Sequence, residues 1–251
     1  MKLRRADYCC VGMAEIYRGD GEILANPTVG TIPFIGARLA RATFEPDLVM
    51  TDGEAMLVAG RLPMGANGNG KLIEGWLPYR NSFDIVWSGR RHVVMGASQI
   101  DRYGDQNITC IGPWQKPVAQ LIGARGAPGN TVNHAVSYWI PKHSSRVFVP
   151  SVDFVSGIGP RRARDLGGVA GSRNDIRAVV TDLGVFDFGG DDCSMRARSL
   201  HPGVTAEEVT SRSGFPVEFP SDLAETRAPT EEEGRLLAEI DPGGLRYQEV
   251  R

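Results

Sequence analysis

Short apolar runs, each closed off by Gly, Pro, Asn or Asp, constrain the fold of this chain more than any other feature. Leu48 to Thr51, His92 to Met95, Ile108 to Ile111, Ala119 to Ile122, Arg146 to Val149 and Ile176 to Val180 are such runs. At that length each reads as a strand buried on both faces. Helical patterns lie between them. Cys9 to Tyr17 reads as a helix, and so does Phe34 to Phe44, where Ile35, Leu39 and Ala42 share one face while Arg38 and Arg41 fall off it. Pro46 ends that helix. Trp76 to Gly89 mixes turn residues with a short helix, and a further helix is read from Thr131.

Strands that alternate with helices predict an α/β fold, a largely parallel sheet covered by helices. Val179 to Phe188, with Gly184 inside it, reads as an extended pair of strands. Two capping boxes mark later helices: Thr205 with Glu208, and Thr230 with Glu233. The second helix runs to Ile240 and stops at Asp241-Pro242-Gly243-Gly244. Gly and Pro are spread evenly and no linker or repeat stands out, so residues 1–251 read as a single domain.

Composition narrows the function classes. The 251 residues are 41% hydrophobic, with 28 basic against 30 acidic side chains. A net charge of -2 gives no bulk field for nucleic acid or an anionic membrane. No run of about 20 apolar residues offers a transmembrane span, and Glu15, Arg18 and Asp20 interrupt any signal-like apolar region. The four cysteines form no CxxC pair, and the four histidines show no metal spacing. The expectation is a cytoplasmic protein without metal or disulfides.

Four segments are candidates for chemistry. Gly65 to Lys71 matches a phosphate loop up to its lysine, but Leu72 stands where a magnesium-binding hydroxyl is needed, so a surface loop is the better reading. Gly123 to Asn130 follows an apolar run and precedes a helix. Its backbone N–H groups are candidates to hold an anion or a thioester oxygen, with Gly123, Arg125, Gly126, Gly129 and Asn130 as binding residues. The alternative is a turn that merely needs Gly. Gly96 to Asp101 also follows a strand; Gln99 is a candidate to hydrogen-bond a carbonyl, whereas Asp101 and Asn107 read as turn-holding residues. Thr51-Asp52-Gly53-Glu54 places two carboxylates after a strand, suited to acid–base or nucleophilic work or simply to a solvated turn. There is no G-x-S-x-G elbow of the common serine hydrolases.

Taken in order, these segments resemble the beta subunit of class I CoA transferases, especially the glutaconate type. The resemblance covers nearly the whole chain: Ile35-Gly36-Ala37, Pro46-Asp47, Gly96 to Asp101 with Tyr103-Gly104 and Asn107, Gly123 to Asn130, Val180 to Val185, His201 to Val204 and Glu239 to Gly243. It implies a CoA transferase-like fold, an open three-layer α/β/α domain with a mostly parallel sheet, consistent with the segments above. It also implies a glutamate nucleophile after the Leu48 to Thr51 strand. By register from Pro46-Asp47 that position is Gly53, one residue before Glu54, and a one-residue shift points a nucleophile elsewhere. Thr51 to Glu54, Arg90 to Gly96, Ser156 to Gly159 and Gly184 to Gly190 are more similar to a subgroup, the beta chains of actinobacterial steroid ring-cleaving CoA-ester hydrolases. That resemblance implies hydrolytic C–C cleavage of a cyclic keto-acyl-CoA, with the catalytic glutamate on an alpha subunit. It further implies an α2β2 heterotetramer, and no cofactor beyond the CoA of the substrate. Glu54 and Gln99 remain as candidate polar wall residues. Two other readings stand beside it: a true CoA transferase using Glu54, and a non-catalytic scaffold subunit.

Overall fold

Seven strands of one sheet follow one another in space in the order in which they occur in sequence. The computed structural model describes residues 3–65 and 71–250. The strands are β1 (Leu24–Pro27), β2 (Arg91–Met95), β3 (Ala135–Ile140), β4 (Asp175–Thr181), β5 (Gly184–Asp187), β6 (Arg196–Leu200) and β7 (Ala224–Glu225). β1 to β4 pair in parallel, β5 is antiparallel to both neighbours, and β7 is parallel to β6.

The strands are apolar on both faces because both faces are covered. In β2, Val94 packs with Met13, Ile35 and Trp139 under the helices α1 (Arg5–Glu15) and α2 (Ile32–Ala42). Its neighbours Val93 and Met95 pack on the opposite face with Val136, Tyr138 and Phe148. The period of two along a strand makes this split. Gly36 lets α2 press onto α1: a Cβ there would sit 2.5 Å from that of Met13. The helix Glu231–Ile240 completes the first layer, and its capping box forms as predicted, with Glu233 N–H donating to Thr230 Oγ1 at 3.1 Å and Thr230 N–H to Glu233 Oε2 at 2.8 Å. The three-layer α/β/α reading therefore holds.

Several predicted strands do not. Leu48 to Thr51 makes only isolated bridges, to β1 through Ala25 N–H to Val49 O and Val49 N–H to Ile23 O, and from Thr51 to Leu57. Cys110–Ile111 and Ala119–Gln120 form a two-residue ribbon outside the main sheet, and Ile122 is exposed. Phe148 makes a single bridge to Ile100. Apolar length alone does not separate a sheet strand from a loop whose side chains plug the core. The interior strand β3 is the opposite error. All six residues of Ala135–Ile140 are buried, yet the helix read from Thr131 obscured it. That helix, α4, spans Ala127–Asn133 instead. The Gly123 to Asn130 loop thus follows no sheet strand; it leads into α4 and then β3.

Candidate active-site cleft

The turn after Met50 is built by Asp52. Its Oδ1 accepts N–H bonds from Glu54 at 2.9 Å and Met56 at 3.2 Å, while Oδ2 pairs with Lys71 Nζ at 2.6 Å. Burial pushes this carboxyl up, but the Lys71 ammonium and the two N–H donors outweigh it and hold it below the usual range. Asp52 is therefore the anchor of the turn. Gly53 beside it has φ +99°, a conformation that suits glycine, and Glu54 is left exposed. The phosphate-loop lookalike lies mostly outside the described residues, since 66–70 are among the others; its Lys71 serves Asp52.

Beneath this turn is a narrow cleft of about 60 Å³. Thr51, Gly53 and Glu54 line it, together with Phe34, Pro27, Leu77 and Ile85 of the helix α3 (Asn81–Ser88). Arg91, the first residue of β2, also lines it. On the alternation of β2, Arg91 shares a face with Val93 and Met95. Only 6% of it is exposed. Its Nη1 donates to Asn26 Oδ1 at 3.2 Å and its Nη2 to Asn130 Oδ1, while Nε has no partner. Burial pushes the guanidinium down to about 10, which leaves it charged at neutral pH. The same charge reinforces the burial that pushes nearby His134 down to about 4.

The structure brings together two predicted residues that the sequence did not connect. Glu54 lines the cleft, and Asn130 holds Arg91 beneath it. Arg91 and Asn26 were not singled out for a role; the one signal for them was an arginine opening a strand otherwise apolar apart from His92. The rest of the Gly123 to Asn130 loop is partly consumed by its own fold. Gly123 N–H donates to Ile108 O, Ala127 N–H to Ala124 O and Asn130 N–H to Gly126 O. A Cβ on Gly129 would fall 2.7 Å from Val86 Cγ1, and one on Gly126 would lie 3.3 Å from Asn130 Nδ2, so both glycines have a packing reason. Arg125 is exposed, with φ +49°.

Gln99 sits in a different network. Its Nε2 donates to Asp153 Oδ2 at 2.8 Å, and its Oε1 accepts from Asn107 Nδ2 at 2.7 Å and Asp153 N–H at 2.9 Å. With both ends engaged, Gln99 ties loops together rather than facing the cleft. Asp101 caps its turn through Tyr103 and Asp105 N–H groups, as the sequence indicated. Among the described residues no cluster of His, Cys, Asp and Glu is arranged to hold a metal, and no helix is long and apolar enough to cross a membrane.

Exposed apolar side chains are concentrated around this region of the chain. Leu72, Ile73, Trp76, Tyr79 and Trp87 lie between residues 72 and 87, and Trp114, Val118 and Ile122 follow later.

No family model matches the sequence. The chain is 53% identical over 250 residues to the cholesterol ring-cleaving hydrolase IpdB subunit of Rhodococcus jostii (strain RHA1), covering 99% of this chain and 97% of that protein. It is 33% identical over 219 residues to a 3-oxoadipate CoA-transferase subunit of Pseudomonas knackmussii, 84% of each chain. The crystal structure of Rhodococcus jostii RHA1 IpdAB contains a chain that superposes with a TM-score of 0.94 at 52% identity, over 100% of both chains.

Proposed function

Since the chain belongs to the class I CoA-transferase family, among the IpdB subunits of the cholesterol ring-cleaving hydrolases, we propose that it works with an alpha partner to open a steroid-derived ring by hydrolysis. The full-length 53% identity to the Rhodococcus jostii IpdB subunit carries this reading. The substrate is a cyclic keto-acyl-CoA. Water adds to the ring ketone, and the C–C bond between that carbon and the carbon alpha to the thioester breaks. The electron pair is delocalised into the thioester carbonyl and then protonated, so the ketone carbon becomes a carboxylic acid and CoA stays attached. A glutamate of the alpha partner moves the protons. This chain supplies the cleft wall around Glu54 and Arg91, and the Gly123 to Asn130 loop with Arg125 lies on the CoA side.

The exposed aromatic residues between 72 and 87 support an interface with the alpha partner, in an α2β2 assembly. Four free cysteines suit a reducing cytoplasm. No cofactor takes part beyond the CoA of the substrate. Assaying the two subunits together and separately tests the reading. Turnover of the cyclic thioester only by the pair is expected, and turnover by neither arrangement contradicts it.

A second reading is kept alive by Glu54 on the cleft wall and by the 33% identity to a CoA-transferase: transfer of CoA between carboxylic acids through that carboxylate. Borohydride trapping of an enzyme-bound CoA thioester separates it, because activated water leaves nothing to trap.

A further inference from the structure

Among the described residues no carboxylate pairs with Arg91. Its described partners are two neutral amide oxygens, on Asn26 and Asn130, and its Nε–H reaches neither these nor any other acceptor. Every buried cation has to recover the hydration that it loses, and neutral amides recover only part of it. The equally buried Arg246 shows the usual solution: it sits between Asp7 at 2.8 Å and Asp241 at 2.9 Å. Arg91 lacks that solution and faces a cleft instead. The cleft is small, about 60 Å³, and has room for a few waters or for one carboxylate. Gly53 in its wall contributes no side chain.

We propose that Arg91 is a carboxylate seat, held in place by Asn26 and Asn130, with its guanidinium meeting an anion that enters the cleft it lines. Resting on the hydrolase reading above, the occupant is the carboxylate that water creates from the ring ketone. The seat then favours ring opening, because the neutral ketone gains a negative charge as the bond breaks and the guanidinium meets that charge. A side-chain carboxylate of the alpha partner has the same chemistry and is the rival source.

The test uses the assembled complex, as wild type, Arg91→Gln and Arg91→Lys. The ring-opened CoA thioester is titrated as the free acid and as its methyl ester. The wild type is expected to prefer the acid by at least about tenfold, a preference of about 1.4 kcal/mol. Arg91→Gln should lose that preference while binding the ester as before, and Arg91→Lys should keep part of it. Equal binding of acid and ester by the wild type overturns the product assignment. If Arg91→Gln at the same time weakens subunit association about tenfold or more, the carboxylate is the partner's. If association is also unchanged, the seat itself is refuted. Turnover of the cyclic thioester is scored in the same preparations, so failure of the hydrolase reading shows separately as no turnover by the wild type. In that event formate against formamide, followed by the ¹⁵N signal of the Arg91 Nε–H, still decides whether the seat takes a carboxylate. The signal is identified by its absence from Arg91→Lys. A shift with formate alone upholds the seat, and no shift refutes it.

Discussion

His92 donates from Nδ1 to Asp20 Oδ2 at 2.7 Å, and its Nε2 lies 3.0 Å from Ser137 Oγ. A carboxylate only accepts, so Nδ1 carries the proton and Nε2 receives the serine hydroxyl. The order Asp–His–Ser is that of a hydrolytic triad. Its setting is not: His92 and Ser137 are both 0% exposed, between the sheet and Tyr17, whose ring centroid is 4.7 Å from that of His92. Arg177 also binds Asp20. A thioester cannot reach this serine, so the three residues knit β2 and β3 to the end of α1.

Ser137→Ala therefore leaves turnover of the assembled complex within about twofold. It costs about 1–2 kcal/mol of stability, since the buried Nε2 loses its donor. Chemical denaturation and a kcat measurement check both halves. A collapse of kcat at unchanged stability would mean that the serine acts as a nucleophile.

Asp101 gives a pH-dependent stability of definite sign. Burial first, and then the neighbouring Asp105, push it up to about 6. The folded state thus binds its proton more tightly than the unfolded state does. Its contribution is full below about pH 4 and lost as the pH rises through about 6. Asp101→Asn keeps an Oδ1 for the N–H groups of Tyr103 and Asp105 and never ionises. The variant is expected to melt several degrees above wild type at pH 8 and at the same temperature at pH 4. Melting curves at the two pH values decide it.

The histidines act in the other direction. Burial pushes His143 down to about 3 and His201 to about 4. Each is neutral in the fold and protonates near pH 6.5 when unfolded. Stability from both is present above that pH and lost as the pH falls toward their folded values, at up to about 1.4 kcal/mol per pH unit for each group. Replacing His201, whose Nε2 donates to Thr181 O at 3.0 Å, with Gln should reduce the slope of unfolding free energy between pH 6.5 and 4.5 by about one proton. An unchanged slope would show that His201 does not contribute.

Much of the fold was legible in the sequence, for reasons that differ by element. Thr230 and Glu233 announced their helix because a capping box is local chemistry. His92 to Met95 announced β2 because its apolar run matches a strand that is buried on both faces. β3 was hidden because Ala135–Ile140 is buried on both faces and directly follows a helix. The candidate site was less legible. Glu54 was found from its position after an apolar run, and Asn130 from its loop. Arg91 joins them only through folding, which brings residues 26, 54 and 91 to one cleft and Asn130 against Arg91. Gln99 was read as a wall residue because its engagement with Asp153 depends on a contact 54 positions away.

The exposed aromatics test the partner. Trp76 and Trp87 are 69% and 74% exposed. The double variant Trp76→Ser, Trp87→Ser is expected to raise the dissociation constant for the alpha subunit at least about tenfold while leaving the melting temperature of the chain nearly unchanged. Association measured by sedimentation, with no loss of affinity, would place the interface elsewhere.

The most direct test of the hydrolase assignment is the mass of the product formed by the assembled complex from the cyclic keto-acyl-CoA, with no acceptor acid present. The account predicts a product heavier by one water that still carries CoA. No reaction until a carboxylic acid is added, followed by CoA on that acid, would contradict it and assign the chemistry to Glu54.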